Sequence, residues 1–307
     1  MQQKKALKYC CLLNIVYSFR AVMVDSVPMR EFLNIVTTLS KIAKECVLRL
    51  SQDKVYFIVS DENTSGQTPP NVWCHLDQSS FFSEYHMEGV DDSHREIYLG
   101  FGTGNFARSL ASLKQSAKCV KIKLTNKQSP CLTLEIELPS LNLMHSRQVT
   151  HDVPVNVIPR KSWRSYNEPT IQSYHVSFLM PALKQLRSTV DRMKSMSPEL
   201  IVKANASGQF ILQIKTDMAT VFPPSVATSP YDVFSKIWDM ETMTYIVEDE
   251  SFVVCRIDVK KFAMFLSADQ ITHSKVLCSM SHKKIVNLFI ENEGIMTFQC
   301  FIPALCF

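Results

Sequence analysis

A chain of 307 residues with 46% apolar and 20% charged residues has the make-up of a globular protein and is long enough for about two domains with large cores. A formal net charge of +4 is too small to imply a polyanionic partner, so only the clustering of charge can discriminate. Ten cysteines contain no C-x-x-C spacing, which removes the usual zinc and redox patterns. Cys46, Cys119, Cys131, Cys255, Cys278 and Cys300 lie in or beside apolar runs, where a reduced thiol packs as a small hydrophobe. A reducing compartment follows, cytosol or nucleus.

Residues 1–18 read as an appended extension. Lys4, Lys5 and Lys8 precede the apolar run Tyr9–Tyr17, which imitates a short signal peptide but is far too short to span a membrane as a helix. Asn63-Thr-Ser and Asn205-Ala-Ser fit the glycosylation triplet, a pattern that arises often by chance.

The ordered pattern begins with a strand at Phe19–Asp25, then a helix with Pro28 in its first turn. Met29, Phe32, Leu33, Val36, Leu39, Ile42 and Ala43 form its apolar side, with Arg30, Lys41 and Lys44 elsewhere. Strands follow at Cys46–Ser51, Lys54–Ser60 and Val72–Leu76, the first two turned at Gln52-Asp53. A strand at Ile97–Leu99 feeds a second helix striped by Phe106, Leu110 and Leu113, with Arg108 and Lys114 off the stripe. From Thr103 to Lys127 there are six basic residues and no acid. Val120–Leu124 and Cys131–Leu138 are strands. Val149–Ile158 is read as an edge strand, because Pro154 offers no N–H to a ladder.

Pro159–Ser173, with Trp163 and Pro169, reads as an exposed connection, and the pattern then restarts. Tyr174–Met180 is a strand and Pro181–Met196 a helix with Leu183, Leu186, Val190 and Met193 inside. Lys184, Arg187, Arg192 and Lys194 lie outside, with Asp191 the one acid. A hairpin at Leu200–Asn205 and Phe210–Thr216 turns at Ser207-Gly208. Residues 223–250 hold Pro223, Pro224 and Pro230 and read largely as loop. Phe252–Ile257 is a strand and Asp258 an N-cap for the helix Val259–Ser267, which bears Lys260 and Lys261. Strands at Lys275–Met280, Ile285–Ile290 and Ile295–Phe301 complete the pattern. The order β-α-β-β-β occurs twice per half, which predicts two similar α+β domains built by internal repetition, 19–159 and 174–307 joined by 160–173. Helices that bury one side on a sheet and share one layer would pool their basic sides into a positive surface.

Chemistry is weakly signalled. Gly100, Gly102 and Gly104 follow a strand and precede a helix, but Thr125, Asn126 and Lys127 stand where a dinucleotide fold needs an acid; the glycines read as a flexible turn and helix entry. The eight histidines are scattered without ligand spacing, His151-Asp152 has no nucleophile motif beside it, and no catalytic signature occurs. The expectation is a protein without catalysis of its own and without cofactor or metal. Lysines on one helix are ordinary surface; recurrence on four helices favours a phosphate-facing surface, and the absence of interleaved aromatics favours backbone contacts over base stacking.

Phe19-Arg-Ala21, Met87–Val90, Glu96–Leu99, Lys121–Lys127, Pro130–Thr133, Thr150–Pro154, Val157–Lys161 with Trp163, and Phe301–Leu305 together resemble the Hus-one family, a subunit type of the heterotrimeric nine-one-one checkpoint clamp. The family is similar, more distantly, to proliferating cell nuclear antigen. The resemblance implies an α+β sliding-clamp fold with helices lining a hole around duplex DNA and sheets outside. It also implies two neighbours of the Rad-nine and Rad-one type, a clamp loader, checkpoint and repair partners, and a nuclear location. By position it implies that Arg30, Lys41, Lys44, Arg108, Lys114, Lys184, Arg187, Lys194, Lys260 and Lys261 face DNA. Val149, His151, Val153, Pro154, Val155 and Val157 would form a subunit interface by strand addition. Ile158, Pro159, Ile302, Pro303 and Ala304 would line a partner pocket. A scaffold that uses the fold without encircling DNA is the alternative. Two departures stand out: residues 1–18 are extra, and 218–250, where the resemblance implies an edge strand of the second domain, carries Phe222-Pro-Pro224 and reads as an insertion.

Overall fold

Alternating apolar residues make sheets here, and amphipathic helices cover them. The computed structural model describes residues 17–60, 71–88, 95–139, 146–169, 173–205, 208–215, 234–239, 242–245 and 252–306. The extension over 1–18 lies outside these as far as residue 16, as does Asn63. The chain divides into two units, one running to Glu168 with Glu293–Thr297, the other Pro169–Asn292 with Phe298–Phe307.

In the first unit β1 (Ser18–Met23), α1 (Ser26–Ile42), β2 (Glu45–Leu50), β3 (Lys54–Val59), β4 (Val72–Asp77), α2 (Gln78–Phe81) and β5 (Glu84–Glu88) form one repeat. β6 (Ile97–Gly102), α3 (Thr103–Leu110), β7 (Cys119–Asn126), β8 (Pro130–Leu138) and β9 (Arg147–Val157) form the next. The strands follow the order β4-β3-β2-β6-β9-β8-β7-β1-β5. Both helices pack on this sheet and on each other. Phe32 of α1 lies 5.9 Å from Phe57 of β3 and 6.1 Å from Phe106 of α3, which lies 5.1 Å from Phe101 of β6. Phe57 and Phe106 are fully buried, each contributing about 2–3 kcal/mol by area removed from water. The expected stripe of α3 is present, although the helix tightens into a 3₁₀ turn over Ala111–Gln115 that keeps Leu113 inside.

In the second unit β10 (Val176–Leu179), α4 (Leu183–Met196), β11 (Glu199–Ala204), β12 (Gln209–Ile214), β13 (Phe234–Asp239) and β14 (Thr242–Tyr245) precede β15 (Val253–Asp258) and α5 (Val259–Leu266). β16 (Lys275–Ser281), β17 (Ile285–Asn292) and β18 (Met296–Pro303) follow. One run of strands is β14-β10-β16-β17-β18, the other β13-β12-β11-β15. β13 and β14 correct the expectation of loop over 223–250: β13 pairs with β12 from Gln209↔Asp239 to Ile214↔Phe234, and β14 pairs with β10. Asp258 caps α5 as expected, its Oδ1 accepting from the N–H of Lys260 at 2.7 Å and Lys261 at 3.4 Å.

Other expectations need revision. Gly100 and Gly102 sit in β6 and Gly104 in α3, none with a positive φ; among the described residues the left-handed glycines are Gly208 (φ +89) and Gly294 (φ +71), each at a hairpin turn. Asn205 is buried and its amide is spent on Gln209, so it is no exposed glycosylation acceptor. Cys46, Cys74, Cys278 and Cys300 are buried free thiols, and burial pushes Cys300 up to about 12.

The connection after β9 is not loose. Arg160–Tyr166 forms a 3₁₀ segment in which Trp163 stacks on Tyr98 of β6 at 4.5 Å and 24°, while its Nε1–H donates to the Ile158 carbonyl at 3.0 Å. Arg49 of β2 sits over Tyr56 (4.6 Å) and Tyr98 (5.7 Å) and is paired with Glu96. This ladder runs along the sheet side opposite Phe57. A double-mutant cycle between Tyr98→Leu and Trp163→Leu is expected to show about 1 kcal/mol of coupling in urea unfolding; zero coupling would mean that the stack does not hold the segment.

His75 of β4 is half-buried beside the Lys54 ammonium at 3.5 Å. Burial first, and Lys54 next, hold it down at about 4 from the ordinary 6.5. A depressed histidine contributes stability fully above pH 6.5 and loses it as the pH falls through 4. The urea midpoint of His75→Gln is therefore expected to fall less than the parent's between neutral and acid pH; equal falls would refute the assignment.

Candidate nucleic-acid interface

The apolar side of each long helix is fixed against a sheet, so the position of its cations follows from helical periodicity. On α1 the residues turned outward recur as Arg30, Asn34, Thr37 and Lys41, at i, i+4, i+7 and i+11. Its two cations, Arg30 and Lys41, are therefore about 16 Å apart along one ridge, and both are exposed. Lys44 lies just beyond the helix, exposed, in a stretch held to the start of α3: its carbonyl accepts from the Thr103 N–H at 2.9 Å and the Thr103 hydroxyl at 3.0 Å. Arg108 of α3 is exposed but folds back on its own helix, bonding the Gly104 carbonyl at 3.3 Å and Asn105 Oδ1 at 2.5 Å. Lys114 is exposed in the 3₁₀ turn that follows.

In the second unit the charges are more entangled. Lys184 in the first turn of α4 is exposed. Arg187 is not a clean outward cation, which corrects the sequence reading: its Nη1 bridges both carboxylate oxygens of Asp269 at 3.1 and 3.2 Å, and Nε lies 3.9 Å from Asp191. Lys194 is also paired with Asp191, at 3.0 Å. Asp269 sits in the 3₁₀ turn after α5, 82 residues from Arg187, which is why no local pattern announced it. Lys260 is exposed and Lys261 half-buried in the first turn of α5.

Two features set these helix exteriors, in each unit taken by itself, apart from ordinary ones. Arg30, Lys41, Lys44, Lys114, Lys184 and Lys260 make no ion pair among the described residues. None of α1, α3, α4 and α5 has an acidic residue in its first turn, although an acid there would stabilise the helix by about 0.3–1 kcal/mol. Lysine in the first turn of α4 and α5 works against the macrodipole, and only α5 has a carboxylate cap to offset it.

The expected interface strand is more deeply engaged than its sequence implied. β9 is bonded to β8 over Arg147–Pro154 and to β6 over Val155–Val157. It is therefore not the last strand of its sheet, although Arg147–Pro154 has a single described partner strand. Val153 (1% exposed) and Val155 (4%) belong to the core and are not available as interface side chains. Val149, His151 and Val157 are half-buried and Pro154 exposed. Thr133 donates to Asp152 Oδ1 at 2.6 Å and Lys127 to Oδ2 at 2.6 Å, and these bonds, Lys127 first, hold the Asp152 carboxyl below its usual range. Of the expected pocket residues, Ile158 is half-buried and Pro159 exposed in the first unit. In the second, Ile302 is fully buried, Pro303 exposed and Ala304 half-buried, its N–H bonded to the Lys284 carbonyl at 2.9 Å. The buried Ile302 is a core residue rather than pocket lining.

The chain is similar to proliferating cellular nuclear antigen from Entamoeba histolytica, with a TM-score of 0.65 and 11% identity over 94% of this chain and 99% of that one. It is also similar to the PCNA2-PCNA3 complex from Sulfolobus tokodaii, with a TM-score of 0.60 and 13% identity over 92% and 98%. The fold is the sliding-clamp fold. In sequence the chain is similar to checkpoint protein HUS1 of Homo sapiens, 38% identical over 94% of this chain and 99% of that protein. It is also similar to checkpoint protein Hus1-like of Drosophila melanogaster, 30% identical over 94% and 99%. The family described as Hus1-like protein matches residues 18–306, and the chain belongs to that family.

Proposed function

We propose that this chain is one subunit of a heterotrimeric ring clamp that encircles duplex DNA at sites of damage in the nucleus. In this reading it supports checkpoint signalling and repair and has no catalysis of its own. The carrying observation is that in each unit cations without an ion pair among the described residues recur on or beside helices whose other sides are committed to a sheet, and that α1, α3, α4 and α5 carry no acid in their first turns. Such groups meet phosphates without reading bases. The relatives' printed description as checkpoint proteins supports the checkpoint role, and the clamp fold supports neighbours of the Rad-nine and Rad-one type and a dedicated loader. The strand edge of β9 along Arg147–Pro154 offers main-chain groups to one neighbour. In the second unit β13, the terminal strand of its run, offers the same to the other.

A topological link makes a sharp demand. The assembled trimer, loaded on nicked circular DNA, is expected to stay bound at high salt and to leave once the circle is cut; retention on linear DNA with free ends would sink the ring and favour a non-encircling scaffold.

The charge assignments separate by structure. Lys184→Ala with Lys260→Ala in the trimer is expected to reduce the slope of log affinity against log salt by about 2 and to leave the melting temperature unchanged. Arg187→Glu is expected to lower the melting temperature as well, because it sets a carboxylate against Asp269 and Asp191. An unchanged salt slope for the lysine pair would remove those residues from the DNA surface.

A further inference from the structure

Among the described residues the sheet of the first unit ends at β5. β5 is bonded to β1 from Ser18↔Glu88 to Val22↔Glu84 and stands last in the strand order, with no described strand on its other side. A groove of about 390 Å³ is lined by Gln52, Tyr85, His86, Met87 and Glu88. In its wall the Tyr85 hydroxyl donates to the Ser51 carbonyl at 2.8 Å, and the Tyr85 ring packs on Phe19 at 5.4 Å and Phe82 at 5.6 Å. An open edge presents main-chain N–H and C=O groups to any extended segment.

Side chains narrow the choice of occupant. Glu84, His86 and Glu88 project from one face of the strand and all three are exposed. Arg20 engages Glu84 at 2.8 Å, whereas Glu88 and Asp53 of the β2–β3 turn make no ion pair among the described residues. Asp53 lies near enough to Tyr85 to add to the upward push that burial gives its hydroxyl. At the rim Arg95 donates to Gln52 at 3.3 Å. A second copy of the chain fits badly. Two β5 strands paired antiparallel about His86 would set each Glu84 opposite the other's Glu88, and like charges directly opposed destabilise a ladder. A strand with lysine or arginine at every second position turns the same geometry favourable, and its intervening apolar residues fall on the Tyr85 and Met87 side.

We propose that the outer edge of β5 is a docking strand for an extended partner peptide with basic residues at alternate positions. The peptide joins the sheet through main-chain hydrogen bonds and sets its cations against the face that carries Glu84 and Glu88, of which Glu88 has no ion pair among the described residues.

A labelled peptide of about ten residues alternating Lys and Val, added to the full chain, tests this. Hydrogen exchange is expected to show new protection at the amides of Glu84–Glu88. Glu88→Lys is expected to weaken binding about fivefold, and N-methylation of every second peptide bond to abolish it. Equal binding of the N-methylated peptide, indifference to Glu88→Lys, or no protection of β5 at millimolar peptide would each overturn the proposal. So would protection of β5 in the peptide-free chain that disappears when residues 1–16 are removed, since the edge would then belong to the chain's own terminus. Dimerisation through β5 would overturn it too.

Discussion

The rest of the molecule depends on how the paired helices are seated. In the first unit Phe32 of α1 touches the sheet through Phe57 and the second helix through Phe106, so one aromatic side chain fixes both helices against each other and against the strands. Once that side is committed, helical periodicity leaves Arg30 and Lys41 no place but the exterior. The second unit obeys the same rule, with Leu186, Val190 and Met193 of α4 and Phe262 and Phe265 of α5 fully buried. Exposure of the cations is therefore a consequence of core packing, and the core tolerates no rotation of a helix that would hide them.

In each unit the outward cations act against stability. Cations at helix N-termini oppose the macrodipole, and a field of unneutralised positive charge repels itself. The two units differ in how far they relieve this. The first leaves Arg30, Lys41, Lys44 and Lys114 without ion pairs among the described residues, whereas in the second Asp191 and Asp269 take up Arg187 and Lys194. Arg187 thus serves the fold by tying α4 to the turn after α5, and its charge is largely spent. Lys184 and Lys260 keep theirs.

Strand edges are the other recurring theme. β9 is shared between β8 and β6, which makes it the splice of the first unit's sheet while leaving part of its length bonded on one side. β5 ends that sheet with charged side chains on its exposed face, the usual guard against indiscriminate pairing, and the same charges give the edge a preference for basic partners. The Trp163 stack on Tyr98 adds a separate anchor, holding the chain to the sheet after β9 has ended.

Local physics alone settled much. Period-2 runs and the stripes Phe106-Leu110-Leu113 and Leu183-Leu186-Val190-Met193 determined the strands, the helices and their inward sides, and Asp258 declared its cap, because each depends on neighbours a few residues away. The repeat of β-α-β-β-β, and with it the α+β class, was legible for the same reason. Tertiary structure decided what depends on distant partners. Arg187 lost its freedom to Asp269 and Val153 and Val155 sank into the core. β13 and β14 formed where prolines and polar residues read as loop, and β5 and α2 emerged from a stretch with no strong period. Strand pairing and ion pairing join residues tens of positions apart, and a linear pattern carries periodicity but not the choice of partner.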